Sequence, residues 1–164
     1  MKQKTSSFLL LLFRIVFTGF LIWTIWFIFH NSLQNGTVSS ARSQAFTASF
    51  NALLSKAHLG HLSNAAVRKL AHFGEYTLLG FWYPLCLRVY TRRYVRYLCW
   101  PLFLGLLVAL MDETVQYFIS SRNSSIFDIW IDLGGVCCGL AVALVVLLLL
   151  RSLFLLMGFG REKS

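Results

Sequence analysis

The segment FDIWIDLGGVCCGLAVALVVLLLL (Phe127–Leu150) decides the fold, because it is 24 residues long and its only charges are Asp128 and Asp132. About 20 predominantly apolar helical residues cross the hydrocarbon core of a bilayer. A helix that is apolar on every side belongs in lipid or deep in a large core, and a chain of 164 residues has no large core to offer.

Three more stretches of this kind precede it. They are Tyr97–Ile119, Leu70–Leu87 and Phe8–Phe29, the last with Arg14 as its single charge. The whole chain is 57% hydrophobic and 13% charged, against about 45–50% and 25% in soluble domains. The expectation is an all-α integral membrane bundle of four transmembrane helices in one domain. Lys2 and Lys4 before the first stretch look like the start of a secretory signal. The apolar run is longer than the roughly 7–15 residues of a signal core and no A-x-A site follows, so a retained anchor is expected. Arg14 should snorkel to the headgroups. Pro84 and Pro101 fall near helix ends, where a lost hydrogen bond does least harm. Leu153–Phe159 is too short to span and should lie along the membrane surface.

Between the first two stretches runs a polar linker, His30–Lys69. Asn31–Ser40, rich in Ser, Asn and Gly, reads as a loop. Phe46, Phe50, Leu53, Leu54 and Ala57 then recur at helical spacing, with Thr47, Ser49, Asn51, Ser55 and Lys56 opposite. This predicts an amphipathic linker helix, lying in the interface or over the mouth of the bundle.

Charge sets the orientation. The net charge is +9, and no base-reading or base-stacking motif accompanies it, so nucleic acid is not expected as a partner. Arg88, Arg92, Arg93 and Arg96 crowd the short loop between the second and third stretches. Lys2 and Lys4 precede the first, and Arg151, Arg161 and Lys163 follow the fourth. Four spans put these regions on one side, which the positive-inside rule makes cytoplasmic. Both termini are then expected inside, and the long linker and the 120–126 loop outside. Membrane lipids, their anionic headgroups above all, are the expected partners of the Arg cluster. Cys86, Cys99, Cys137 and Cys138 show no C-x-x-C spacing and read as buried small residues.

The acidic residues carry the functional signal. Of six, five (Glu75, Asp112, Glu113, Asp128, Asp132) fall within or at the edge of an apolar stretch. Ionisable groups in spans are costly and mark function by default. Lys69, His72 and Glu75 stand at i, i+3 and i+6 near the outer end of the second helix. Asp112, Glu113 and Gln116 approach the same surface on the third, Arg122 lies in the following loop, and Asp128 and Asp132 leave it on the fourth. The topology therefore gathers them at the external end. Asp128, Asp132, Gly135 and Gly139 share one face of the fourth helix, and Gly105, Ala109, Asp112 and Gln116 one face of the third. Small residues allow close helix approach, so these acidic faces should be packing faces.

His72, Glu75, Asp112 and Glu113 are the candidates for proton transfer, and the same groups suit a divalent metal. Lys69, Gln116, Arg122, Asp128 and Asp132 are the candidates for holding a substrate, with Lys69 and Arg122 suited to an anionic group such as phosphate. No G-x-S-x-G or H-E-x-x-H motif occurs, so the reaction class, and whether there is a reaction, stay open. A structural ion-pair network competes with any functional reading, since buried charges persist when paired. A non-catalytic lipid- or partner-binding protein and an ion- or proton-coupled transporter are the functional alternatives.

The strings RKLAHFGEYTLLGF (Arg68–Phe81), DETVQYF (Asp112–Phe118) and SRNSSIFDIWIDLGGVCCG (Ser121–Gly139), preceded by NSLQNGTVSS (Asn31–Ser40), resemble the VanZ-like family of bacterial membrane proteins. Lys69, His72, Glu75 and Tyr76 match its K-x-x-H-x-x-E-Y motif. Asp112, Glu113 and Gln116 match its D-E-x-x-Q, and Arg122, Asp128 and Gly135 its closing motif. The resemblance implies a multi-pass protein of the bacterial cell membrane with an envelope role. The family's name-giving member is associated with low-level resistance to the glycopeptide teicoplanin. The polar residues at the external end, taken with that role, lead to the expectation of a site for a lipid or lipid-linked envelope component. The implied organisation is an N-terminal transmembrane helix (1–30), a VanZ-like domain (31–150) and a cytoplasmic tail (151–164).

Overall fold

In the computed structural model residues 2–34, 36–58, 60–119 and 125–157 are described, the side chains of 2–6, 36–40 and 42 excepted. The chain forms five α-helices: α1 (Lys2–Ser32), α2 (Gly36–Lys56), α3 (Asn64–Tyr90), α4 (Cys99–Tyr117) and α5 (Ile126–Leu156), with a 3₁₀ turn at Tyr94–Tyr97 before α4. No strand occurs among the described residues, and the all-α expectation holds.

Three segments are long and apolar enough to cross a membrane: Ser7–Ser32, Tyr94–Tyr117 and Ile126–Leu156. Their outer faces leave Phe8, Ile15, Ile22, Trp26, Phe103, Leu148 and Leu149 exposed, a surface suited to lipid. The fourth expected span corresponds to α3, which at 27 residues has the length but is less apolar. The physical reason is its position. α3 contacts α1, α4 and α5, and its polar residues face those neighbours.

Taken in the order α1, α3, α4, α5, each helix runs antiparallel to the next, so α1 lies parallel to α4 and α3 parallel to α5. At one end Arg14 Nε donates to Val89 O (3.1 Å) and Thr18 Oγ1 lies 3.0 Å from Tyr90 Oη, joining the start of α1 to the end of α3. At the other end Gln116 of α4 reaches Ser32 of α1. The core between them is Ile28, Tyr76, Leu79, Tyr83, Val108, Ala109 and Val136.

The most extensive contact is α3 against α5, and glycine makes it possible. A Cβ at Gly135 would lie 2.6 Å from Phe73 O, and one at Gly139 would strike Thr77 O. Gly80 answers from α3, where a Cβ would strike Val136 O. The two backbones are in direct contact, the close approach that small residues permit in membrane helices. Gly105, Ala109, Asp112 and Gln116 are all buried on α4, as are Asp132, Gly135 and Gly139 on α5. The reading of these stripes as packing faces is correct.

Several local expectations fail for identifiable reasons. Within Asn31–Ser40, residues 31–32 and 36–40 are helical, because α1 continues to Ser32 and α2 starts at Gly36. α2 also turns its polar edge inward. Thr47 Oγ1 donates to Asn64 Oδ1 (3.0 Å), while Asn51 Nδ2 donates to Leu62 O (3.0 Å) and Asn51 Oδ1 accepts from Leu62 N (2.9 Å). Leu53 is exposed, and Phe46, also largely exposed, borders a cavity toward α1 and α3. Arg14 does not simply snorkel. It binds a carbonyl at the α3 C-terminus and lies over the Tyr90 ring, 5.2 Å from its centroid, where a helix end attracts cations. Pro84 sits inside α3, which continues to Tyr90. α5 runs unbroken through Arg151 to Leu156. Cys99 is exposed at the start of α4, and Cys137 and Cys138 are exposed instead of buried because α5 turns its glycines, and not its cysteines, toward α3.

Gly139→Ala should destabilise the fold by at least about 2 kcal/mol, as overpacking does, because the added methyl meets backbone. Gly134→Ala, whose Cβ would find only Phe73 Cε2 at 3.7 Å, should be neutral or slightly stabilising. Thermal unfolding of the detergent-purified variants measures the contrast.

Candidate functional site

The site lies where four helix ends converge. Ser63 caps α3, its hydroxyl accepting from Ala66 N (3.2 Å). Ser125 caps α5 by accepting from Phe127 N (3.2 Å). Each cap satisfies one of the free N–H groups that every helix start exposes. From those starts α3 carries Arg68, Lys69, His72 and Glu75 downward, and α5 carries Asp128 and Asp132. α4 brings Asp112, Glu113 and Gln116 to the same level as it ends. By helical rise, His72, Asp112 and Asp132 sit roughly 8–12 Å below the helix ends.

Hydrogen bonds fix the acidic side chains. The backbone N–H of Ser125 donates to Glu113 Oε2 (3.0 Å), tying the start of α5 to α4. Gln116 Nε2 donates to Asp112 Oδ2 (3.0 Å) and to Ser32 Oγ (3.3 Å), linking α4 to α1. Asn31 Nδ2 donates to Glu75 Oε1 (2.9 Å). Lys69 Nζ meets Asp128 Oδ1 at 3.0 Å, and this pair is partly exposed. His72 Nδ1 stands 4.0 Å from Asp112 Oδ2. Asp112 and Asp132 are fully buried, and Glu113 and Gln116 nearly so.

Two cavities flank α3 at this end. The first, about 300 Å³, is lined by Arg68, Lys69, His72, Glu113, Gln116, Ser125, Asp128 and Asp132. The second, about 390 Å³, lies toward α1 and α2 and is lined by Phe27, Asn31, Phe46, Arg68, His72 and Glu75 among others. Arg68 and His72 border both. Of the residues singled out in the sequence, Lys69, His72, Glu113, Gln116, Asp128 and Asp132 line the first cavity. Asp112 lies behind it, against His72. Glu75 faces the second cavity instead. Arg122 lies outside the described residues.

A family model described as VanZ/LLP1 matches residues 14–150. The chain belongs to the VanZ/LLP1 family. No curated protein and no solved structure matches it significantly. The match takes in all but the first turns of α1 and the last turns of α5, so every described residue of both cavities belongs to the VanZ/LLP1 region.

Sequence reasoning missed Arg68, Asn31, Ser32 and Ser125. Arg68 was legible, since it stands four residues before His72 on the same face of α3. Ser125 carried the signal of a cap directly before an apolar run. Asn31 and Ser32 gave none, because a loop was expected where α1 continues.

Glu113→Ala removes the acceptor that holds the start of α5 and should cost about 1.5–3 kcal/mol, the range for hydrogen bonds to charged groups. Glu113→Gln keeps an acceptor oxygen and should lose less. Chemical denaturation of the two variants beside the unaltered protein measures the difference.

Proposed function

We propose that this VanZ/LLP1 protein is a four-span protein of the bacterial cell membrane whose outward-facing cavity receives the phosphate-bearing headgroup of a lipid or lipid-linked envelope component. The observation that carries this reading is the placement of Arg68 and Lys69 together on the wall of a cavity cut into the end of a lipid-exposed bundle. A guanidinium and an ammonium are the side chains that hold phosphate. A ligand whose tail stays in the bilayer would reach them without leaving it. The exposed apolar side chains of α2, Phe46 and Leu53, support placing this end at the membrane interface. The Arg cluster of the 91–96 turn supports placing the opposite end in the cytoplasm, with both termini beside it. In this arrangement α3 is the fourth span, its polar groups turned inward, and the envelope role follows from the ligand. No reaction is assigned, since neither cavity holds a recognisable nucleophile motif.

Binding of short-chain phosphatidic acid to the detergent-purified protein tests the ligand class. Arg68→Ala and Lys69→Ala should each weaken it roughly tenfold, the effect of about one lost charge-assisted hydrogen bond, with short-chain phosphatidylcholine bound more weakly throughout. Affinities unchanged by both substitutions would refute the reading.

Cysteine labelling tests the topology. In a cysteine-free background, His61→Cys before α3 should react with an impermeant maleimide on intact cells. Arg92→Cys after α3 should react only once the membrane is permeabilised. Labelling of both from one side would show that α3 does not span.

A further inference from the structure

At the site the acidic groups outnumber the cations Arg68 and Lys69 among the described residues. Among the described residues Lys69 is engaged by Asp128 at the rim, and Arg68 is half-buried on the cavity wall. Deeper in, Asp112 and Asp132 are both fully buried. Neither carboxylate oxygen of Asp132 has a hydrogen-bond partner among the described residues, although the residue lines the cavity. Such a group is costly, because buried charges are ordinarily paired or coordinate a metal.

His72, Asp112 and Asp132 each offer one ligand atom, and these atoms lie within 4.8 Å of one another. Donors about 2.0–2.2 Å from a common ion stand up to about twice that far apart, so small rotations of the side chains close the site. We propose that His72, Asp112 and Asp132 hold one divalent transition-metal ion at the floor of the headgroup cavity. One imidazole nitrogen with two carboxylates favours Zn²⁺ or Mn²⁺ over Mg²⁺ and Ca²⁺, which prefer all-oxygen shells. Gln116, donating to Asp112 Oδ2, is the kind of outer partner that orients a ligating carboxylate.

Three protein donors leave coordination positions open, as in sites that take water or substrate. In the first cavity those positions would face the space beside Lys69 and Arg68. The proposal rests on the headgroup reading for its role and resolves a conflict within it. An anionic group entering the cavity meets carboxylates below the basic residues, and a bound divalent cation cancels the charge of that pair.

The test is the metal content of full-length protein purified in detergent, loaded with Zn²⁺ or Mn²⁺ and dialysed, together with its thermal unfolding. The unaltered chain should retain about one ion, and saturating metal should raise its Tm by about 5 °C through preferential binding to the folded state. Asp132→Asn and His72→Ala should each lower affinity at least about 100-fold, matching or exceeding the loss from removing an outer partner, and should abolish the shift. His72 is partly exposed, so its replacement tests the site if Asp132→Asn disturbs folding. Lys69→Ala should keep the ion while binding phosphatidic acid more weakly, which separates failure of the metal site from failure of the headgroup reading. No retained ion in the unaltered chain, equal retention in both ligand variants, or retention of Mg²⁺ but neither Zn²⁺ nor Mn²⁺ would overturn the proposal.

Discussion

Gly135 and Gly139 of α5 lie against the backbone of α3 with no room for a side chain between them, and the remaining geometry depends on that contact. In lipid, helices gain little by hiding apolar surface from one another. Close van der Waals approach and polar contacts must hold them. With α5 seated on α3, Val136 enters the core and Asp132 is carried, one turn away, into the cavity beside His72. The stripe that binds the helices also aims the carboxylate.

The polar end of the bundle is held by bonds that each cross between helices. Glu113 anchors the start of α5, Gln116 joins α4 to α1, Asn31 joins α1 to Glu75, and Lys69 meets Asp128. A structural network accounts for these pairs, and it is part of the answer. It does not account for Asp132, which contributes to no such bond among the described residues. The division is spatial as well. The satisfied groups lie at the rim and between helices, whereas Asp132 lines a space large enough for a ligand.

Membership of the VanZ/LLP1 family fits this division, because the three motifs in the sequence converge on it. K-x-x-H-x-x-E-Y supplies the wall between two cavities, D-E-x-x-Q the acidic and bonding groups of α4, and the closing motif the start of α5. Within the first motif, Lys69 and His72 serve one cavity while Glu75 turns to the other, since residues three apart on a helix diverge around its axis as the spacing accumulates.

The sequence by itself determined the helical class, three of the four expected apolar spans, the alternating order of the helices and the end at which the charges meet. Those follow from one-dimensional quantities: run length, the 3.6-residue period and the position of charge along each run. It also made the glycine faces legible, because small residues at i, i+4 and i+7 have few other uses in an apolar helix. Only the tertiary structure decided which charges share a cavity. Glu75 and Asp132 look equivalent as isolated acids in apolar runs, yet one accepts from Asn31 and the other stands beside His72 and Asp112. That choice depends on helix rotation and depth, which the α3–α5 backbone contact sets. The inward polar edge of α2 was equally out of reach. A short helix with one polar and one apolar edge can face either way, and its bonds to Asn64 and Leu62, on the connection into α3 and its first turn, decide which.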